Sequence, residues 1–240
     1  MKLPPLSQAA LLLDMDGTLL DLAPTPDTVV VPPGLPGVLL RLRAALGDAL
    51  AIVTGRPIAQ VDALFPGVPY AVAGEHGGAI RHAPDAGVVR LDLPEAPDGW
   101  RIAAEAAVAA HPGAMVEHKR RGFVFHYRLA PDYGTALHHA ALSIVGADAG
   151  RFEVMPASMA WEVRPRGADK GSAVNSLMRQ PPFAGRTPVF IGDDVTDEDG
   201  MRAARALGGV GLRVDEAFGT PDGVRAWLAE AAKTGALPPV

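Results

Sequence analysis

The chain has 240 residues, 48% hydrophobic and 20% charged, the profile of a globular protein with a sizeable core in one large domain or two small ones. The 22 Lys and Arg nearly balance the 27 Asp and Glu, and the net charge of −5 argues against a nucleic-acid binder that relies on a basic surface. Without cysteine there is neither a disulfide framework nor a thiolate metal site, and no run is apolar and long enough for a signal-peptide core or a membrane span, so a soluble, cytoplasmic protein is expected.

Ala9–Leu13 reads as a buried strand, and Pro36–Leu46 as a helix with Val38, Leu39, Leu42 and Leu46 on one face. Ala49–Val53 reads as the next strand, Ile58–Leu64 as a helix and Tyr70–Ala73 as a third strand. Strand, helix, strand in that order implies parallel pairing with helices covering the sheet. The rhythm breaks at Pro84–Pro97, rich in proline, glycine and aspartate, a crossing point between domains. Beyond it come a helix (Gly99–Ala110), strands near Ala114–His118 and Gly122–Arg128, a helix (Pro131–Val145), and strands near Phe152–Met155 and Ala160–Arg164. Paired strands joined by short turns suggest a small antiparallel sheet with helices on one face. The alternation then returns: helix Lys170–Met178, strand Pro188–Ile191, helix Asp197–Ala206, strand Val210–Val214 and helix Gly223–Ala232, with Leu237–Val240 as a frayed tail. The expected architecture is α/β: a doubly wound, Rossmann-like parallel-sheet core over residues 1–82 and 165–240, interrupted by an inserted α+β domain over 83–164.

Polar motifs fall at the ends of these strands. Asp14-Met15-Asp16-Gly17-Thr18-Leu19 follows the first strand, and two acids this close above a parallel sheet can divide the work of nucleophile and general acid/base. An ordinary Asp-Gly turn is the competing reading. Thr54-Gly55-Arg56 follows the second strand, where a hydroxyl and backbone N–H groups before a helix make a phosphate cradle, or simply a turn that needs glycine. Lys170 opens a helix, an unfavourable end for a cation, which points to an anionic partner such as a phosphoryl oxygen; a solvated lysine competes. Asp193 and Asp194 end a late strand and precede Asp197, Glu198 and Asp199. These hard oxygen donors suit Mg²⁺, while Asp197–Asp199 also complement the helix dipole.

Taken together, Asp14, Thr54, Lys170 and Asp193 resemble the four motifs of the haloacid dehalogenase-like phosphatases, and the insertion resembles that superfamily's larger type of cap. Gly74-Glu75-His76-Gly77, Glu117-His118-Lys119, His126-Tyr127-Arg128, Glu162-Val163-Arg164-Pro165 and Gly192-Asp193-Asp194-Val195-Thr196-Asp197-Glu198-Asp199 narrow the resemblance to the trehalose-6-phosphate phosphatase family. Two positions depart from the expected pattern: Arg120 stands where glycine is expected after Lys119, and Gly200 where a bulky apolar residue is expected.

The resemblance implies hydrolysis of trehalose 6-phosphate to trehalose and phosphate through an aspartyl-phosphate, with Asp14 as nucleophile and Asp16 as general acid/base. It implies Mg²⁺ held by Asp14, the backbone carbonyl of Asp16, and Asp193. Thr54 and Lys170 would bind phosphoryl oxygens. The cap would close over the site and read the sugar through Glu117, Lys119, Arg128 and Glu162, with Arg56 and His76 contributing from the core. It also implies a functional association with trehalose-6-phosphate synthase, and no nucleic-acid or membrane partner. Read from the residues alone, Glu117, Lys119 and Arg128 would sit on a solvated strand face. His126 and Tyr127 read as packing and orienting residues, and His138 and His139 as helix surface. The rival substrates are sucrose 6-phosphate and mannosylglycerate phosphate. A rival of another class is a sensor that binds without hydrolysing, which should lack one of Asp14, Asp16, Lys170 or Asp193; all four are present.

Overall fold

A computed structural model describes residues 3–25, 28–66 and 70–240. Every candidate site residue lies within these ranges; the expected 1–82 segment also spans positions 1–2, 26–27 and 67–69, which lie outside them. The chain divides into two compact units, Met1–Leu91 with Ala168–Val240, and Asp92–Gly167.

In the first unit the apolar runs become strands buried on both faces, the condition under which parallel sheets form. The strands are β1 (Ala9–Leu13), β2 (Leu50–Val53), β3 (Ala71–Gly74), β4 (Ala79–Arg81), β5 (Val89–Arg90), β10 (Thr187–Gly192) and β11 (Val210–Arg213). They form one seven-stranded sheet in the order β11-β10-β1-β2-β3-β4-β5. From β11 to β3 the pairing is parallel; β4 and β5 add antiparallel edges. The helices of this unit are α1 (Leu35–Ala45), α2 (Ile58–Leu64), α5 (Lys170–Met178), α6 (Asp197–Ala206), the short α7 (Val214–Ala217) and α8 (Pro221–Thr234). Leu35, Val38, Leu39 and Leu42 of α1 face the core, and α1 packs with α8 while α5 packs with α6.

The antiparallel strands β4 and β5 are not marked in the sequence. Because β5 pairs with β4, the first unit extends to Leu91, beyond the expected break after His82. The C-terminal segment is not frayed: the Trp227 indole N–H donates to the Pro238 carbonyl at 2.9 Å, and Leu237 packs against the core. Position 200 also has a physical explanation. A Cβ on Gly200 would lie 2.5 Å from the Phe190 ring, so β10 already fills the space that a bulky residue on α6 would need.

The second unit is a four-stranded antiparallel sheet in the order β6-β7-β9-β8, with β6 (Met115–Lys119), β7 (Gly122–His126), β8 (Phe152–Ala157) and β9 (Ala160–Pro165). Helices α3 (Asp98–Ala109) and α4 (Gly134–Val145) accompany it. Alternation decides its faces. Trp100 of α3, Leu137 and Ala141 of α4, and Phe123, Phe125, Phe152 and Val163 of the sheet form one apolar cluster. That leaves Glu117, Lys119, Glu162 and Arg164 on the opposite face. Lys119 pairs with Gly122, so Arg120 and Arg121 are the hairpin turn. The glycine sits at 122 because a Cβ there would lie 1.9 Å from the Val163 carbonyl oxygen.

Candidate active site

Three adjacent parallel strands deliver the polar residues to one edge of the sheet. In register, Leu13 of β1 lies between Ile191 of β10 and Ile52 of β2. The residues that follow these strand ends include Asp14, Asp193 and Thr54, at the carboxyl ends where open α/β sheets place their ligands. The Asp14 N–H continues the ladder to the Ile191 carbonyl at 2.9 Å, and the Thr54 N–H donates to Ala73 at 2.9 Å. After Asp14 the chain turns sharply, with the Thr18, Leu19 and Leu20 N–H groups all converging on the Met15 carbonyl. Gly17 makes this turn at φ +86°, and a Cβ there would lie 2.2 Å from Asp193 Oδ2.

Lys170 enters at the first turn of α5. Asp169 caps that helix through a reciprocal capping box with Ser172, which fixes where Lys170 begins. Its Nζ donates to Asp14 Oδ1 and to Asp197 Oδ1, both at 2.6 Å, and all three side chains are almost completely buried. Asp197, expected to serve the helix start as well as the group of oxygen donors, is the hub of this cluster. Its Oδ2 accepts the backbone N–H groups of Asp193 and Asp194 at 3.2 and 3.0 Å. Thr18 Oγ1 donates to Asp193 Oδ1 at 3.0 Å.

The charges do not balance. Carboxylate oxygens of Asp14, Asp193 and Asp197 lie within 4.8 Å of one another, and among the described residues the Lys170 ammonium bonds to two of the three. Burial pushes the Asp14 carboxyl well above the usual carboxylate range, and the Asp197 charge adds to that, against the pull of Lys170. Burial and Asp197 likewise raise Asp193 to about 6. Burial alone would depress the Lys170 ammonium; the Asp14 and Asp197 charges outweigh it and hold Lys170 above the usual lysine range. Three converging carboxylates with one cation leave an excess of negative charge, on an all-oxygen donor set. Both features suit a hard divalent cation such as Mg²⁺.

The remaining core candidates surround this cluster. The Asp16 carboxylate does not join the three acids. Arg56 grips it with two hydrogen bonds, Nε to Oδ2 at 2.7 Å and Nη2 to Oδ1 at 2.8 Å. Thr54 Oγ1 accepts the Arg56 backbone N–H at 3.2 Å. Its carbonyl accepts the His76 N–H at 3.1 Å. Glu75 and His76 both hold positive φ, 52° and 54°, an uncommon pair for residues with side chains. The buried His76 ring lies against Gly55, where a Cβ would come within 2.6 Å of its Nε2.

In the second unit, charged and polar side chains on the polar sheet face bond to one another. Lys119 Nζ donates to Glu162 Oε1 at 2.8 Å, and His126 Nε2 meets Glu117 Oε2 at 3.0 Å. Burial would raise the Glu117 carboxyl, but the His126 hydrogen bond and the Lys119 charge hold it below the usual range. Burial likewise opposes the Lys119 charge, which Glu162 and Glu117 nonetheless keep above its ordinary value. Arg128 lies beyond the end of β7, and its Nη2 donates to Ser158 O and Oγ at 3.2 Å. His138 is not plain helix surface: its ring stacks on Trp161 with centroids 4.0 Å apart.

Asp197's central place had one legible signal, its fourth position after Asp193, from which a side chain at a helix start can turn back to its own loop. Thr18 gave no such signal, since its partner Asp193 lies 175 positions away.

A family model described as trehalose-phosphatase matches residues 12–225. The chain is 46% identical over 210 residues to a probable trehalose-phosphate phosphatase of Sinorhizobium fredii, across 85% of this chain and 77% of that protein. It is 36% identical to the trehalose-6-phosphate phosphatase of Escherichia coli K12, across 84% of this chain and 75% of that one. The C-terminal domain of Candida albicans trehalose-6-phosphate phosphatase shares the fold with a TM-score of 0.80 at 20% identity, covering 95% of this chain and 93% of that one.

Proposed function

The chain belongs to the trehalose-phosphatase family, and on that premise we propose that it hydrolyses trehalose 6-phosphate to trehalose and inorganic phosphate through an aspartyl-phosphate on Asp14. The observation that carries the reading is the buried Asp14–Lys170–Asp197 bridge beside Asp193, at the carboxyl ends of β1 and β10. A buried ammonium held by two carboxylates is costly as mere architecture, and it suits a site that must bind and stabilise a dianionic phosphoryl group.

In this mechanism the Asp14 carboxylate attacks phosphorus in line, and the bond from phosphorus to the sugar oxygen breaks. Asp16, in its protonated form, gives its proton to that departing oxygen, and as the carboxylate it accepts the two Arg56 hydrogen bonds. A water then attacks the aspartyl-phosphate at phosphorus and passes its proton to Asp16, which frees phosphate and restores the Asp14 carboxylate. Lys170 fixes the orientation of Asp14 and, with Thr54, holds phosphoryl oxygens. Arg56 sets the direction of the Asp16 carboxyl. Asp14, Asp193 and the Asp16 backbone carbonyl would hold Mg²⁺, which when bound supplies positive charge to the phosphoryl oxygens.

We assign the chemistry to the first unit and recognition of the disaccharide to Glu117, Lys119, Arg128 and Glu162 of the second, with Arg56 and His76 contributing from the first. Acids with basic partners already seated on one sheet face are suited to a ligand rich in hydroxyls. Phosphate release across trehalose 6-phosphate, sucrose 6-phosphate and mannosylglycerate phosphate, each with Mg²⁺ and with chelator, tests the assignment. Trehalose 6-phosphate should be strongly preferred, activity should require the metal, and Asp14→Asn should abolish turnover while leaving the fold intact. Turnover by Asp14→Asn within about tenfold of wild type, a barrier change of only ~1.4 kcal/mol, would remove Asp14 from the nucleophile's role.

A further inference from the structure

Asp193 is fixed at more points than its side chain. Its carboxylate is oriented by Thr18, and its N–H is taken by Asp197 Oδ2. The peptide that follows it is held at both ends: the Asp194 N–H donates to Asp197 Oδ2 at 3.0 Å, and the Asp193 carbonyl accepts from Arg213 Nη2 at 3.0 Å. Arg213 is the last residue of β11, the strand next to β10. Its other nitrogens are occupied as well. Nη1 donates to Glu198 in the first turn of α6, and Nε donates to Asp215 at 3.1 Å. The guanidinium is therefore clamped between two carboxylates, and its third nitrogen, Nη2, donates to one backbone carbonyl. A planar fork can do this in a way that a single ammonium cannot.

We propose that Arg213 is a positioning residue for the cation site: by fixing the Asp193–Asp194 peptide it sets the direction of the Asp193 carboxylate and so the affinity for a divalent cation. Rotation about that peptide would have to break the Arg213 and Asp197 hydrogen bonds together. The tolerance is small, because Asp193 Oδ2 already occupies the space beside Gly17. Arg213 itself touches neither Asp14 nor Lys170 through any hydrogen bond among the described residues. Outer partners that orient metal ligands commonly contribute about ten- to a hundredfold in metal affinity.

The inference rests on reading Asp14 and Asp193 as cation ligands, so its test is made on the metal-free protein without substrate. Mn²⁺ binding is followed by electron paramagnetic resonance, with Mg²⁺ as competitor. Arg213→Gln should weaken both ions by about ten- to a hundredfold. Arg213→Lys, which keeps the charge but not the fork, should fall between wild type and Gln. At saturating Mg²⁺ the KM for trehalose 6-phosphate should stay within about twofold of wild type, since the residue acts on the metal and not on the sugar. Unchanged ion affinity in Arg213→Gln overturns the proposal, and so does a loss of metal-free thermal stability with ion affinity intact, which would make Arg213 a tie between β11 and α6 only. Should Arg213→Gln fail to fold, Arg213→Lys and Glu198→Gln carry the same measurement, and unchanged affinity in both overturns it. A wild-type protein that binds neither ion refutes the reading of the cation site itself, a result distinct from wild-type binding that the variants leave unaltered.

Discussion

Gly17→Ala puts the geometry of the acid cluster to a quantitative test. Two costs follow from the structure. The first is backbone strain: at φ +86° a residue with a Cβ is disfavoured by about 1–2 kcal/mol. In a chain of this length that lowers the unfolding temperature by roughly 2–8 °C. The second is steric. The new Cβ would stand 2.2 Å from Asp193 Oδ2, and ordinary contact begins at 3.4 Å, so the carboxylate must retreat by 3.4 − 2.2 = 1.2 Å. A misplacement on the order of 1 Å in a reacting assembly costs about a hundredfold in rate, or ~2.7 kcal/mol of barrier. Gly219→Ala separates the two costs, because Gly219 holds a similar φ of +75° with nothing within 4 Å of a Cβ. Both variants should lose thermal stability, Gly17→Ala at least as much as Gly219→Ala because it carries the clash as well as the strain. Only Gly17→Ala should lose kcat/KM, measured as phosphate release from trehalose 6-phosphate at saturating Mg²⁺. A Gly17→Ala enzyme within about threefold of wild type, or a Gly219→Ala enzyme equally damaged, would refute the placement of Asp193 in the working site.

Lys170→Met leaves Asp14 and Asp197 buried without their cation and should destabilise the metal-free protein by roughly 3–5 kcal/mol at neutral pH, read by denaturant unfolding. Folded carboxyls raised above their unfolded value of 3.8, Asp193 to about 6, bind more protons folded than unfolded, so this deficit should shrink as pH falls through about 6; an equal deficit at pH near 7.5 and near 5.5 would contradict the account. The same protons compete with the metal, so the apparent affinity for Mg²⁺ in calorimetric titrations should weaken below pH of about 6, and a flat profile would speak against Asp193 as a ligand. Glu117→Ala and Glu162→Ala should each reduce kcat/KM for trehalose 6-phosphate by about ten- to a hundredfold while sparing a small aryl phosphate, and equal losses on both substrates would return these acids to a purely structural role.

Much of this organisation was legible because period and burial agree. Ala9–Leu13 and the β10 segment are apolar runs that only a strand buried on both faces can use, and each ends at an aspartate. The Lys170 position, unfavourable for a cation at a helix start, pointed to an anionic partner without identifying it, and the structure places two carboxylates there. Edge strands carry no such signal. Val89 and Arg90 are exposed, so neither burial nor alternation marks them, and the end of the first unit was placed too early. The pairing of Asp16 with Arg56 was equally silent, since the two residues are 40 positions apart and each motif had a sufficient local explanation. Asp197 shows the limit most clearly. Its helix-start position satisfied one principle so well that its burial and its contacts with Lys170 and the Asp193–Asp194 backbone went unread.

The central position of β1 has a consequence for synthesis. Its neighbour on one side, β2, begins at Leu50, but its neighbour on the other, β10, begins at Thr187, and the whole second unit is translated in between. Elongation through those 187 − 50 = 137 positions takes roughly 7–27 s at ~5–20 residues per second. For that interval one side of Ala9–Leu13, apolar throughout, offers its backbone N–H and carbonyl groups to any strand that meets it. A nascent or prematurely terminated chain of this protein is therefore sticky, and it also lacks Asp193, because the strand that seals β1 is the same one that leads into Asp193. Any fragment that stops short of β10 should partition into aggregates or onto chaperones. Moving the break in the chain by circular permutation, so that β10 and β1 are made in immediate succession, would close that side first and shorten the exposure.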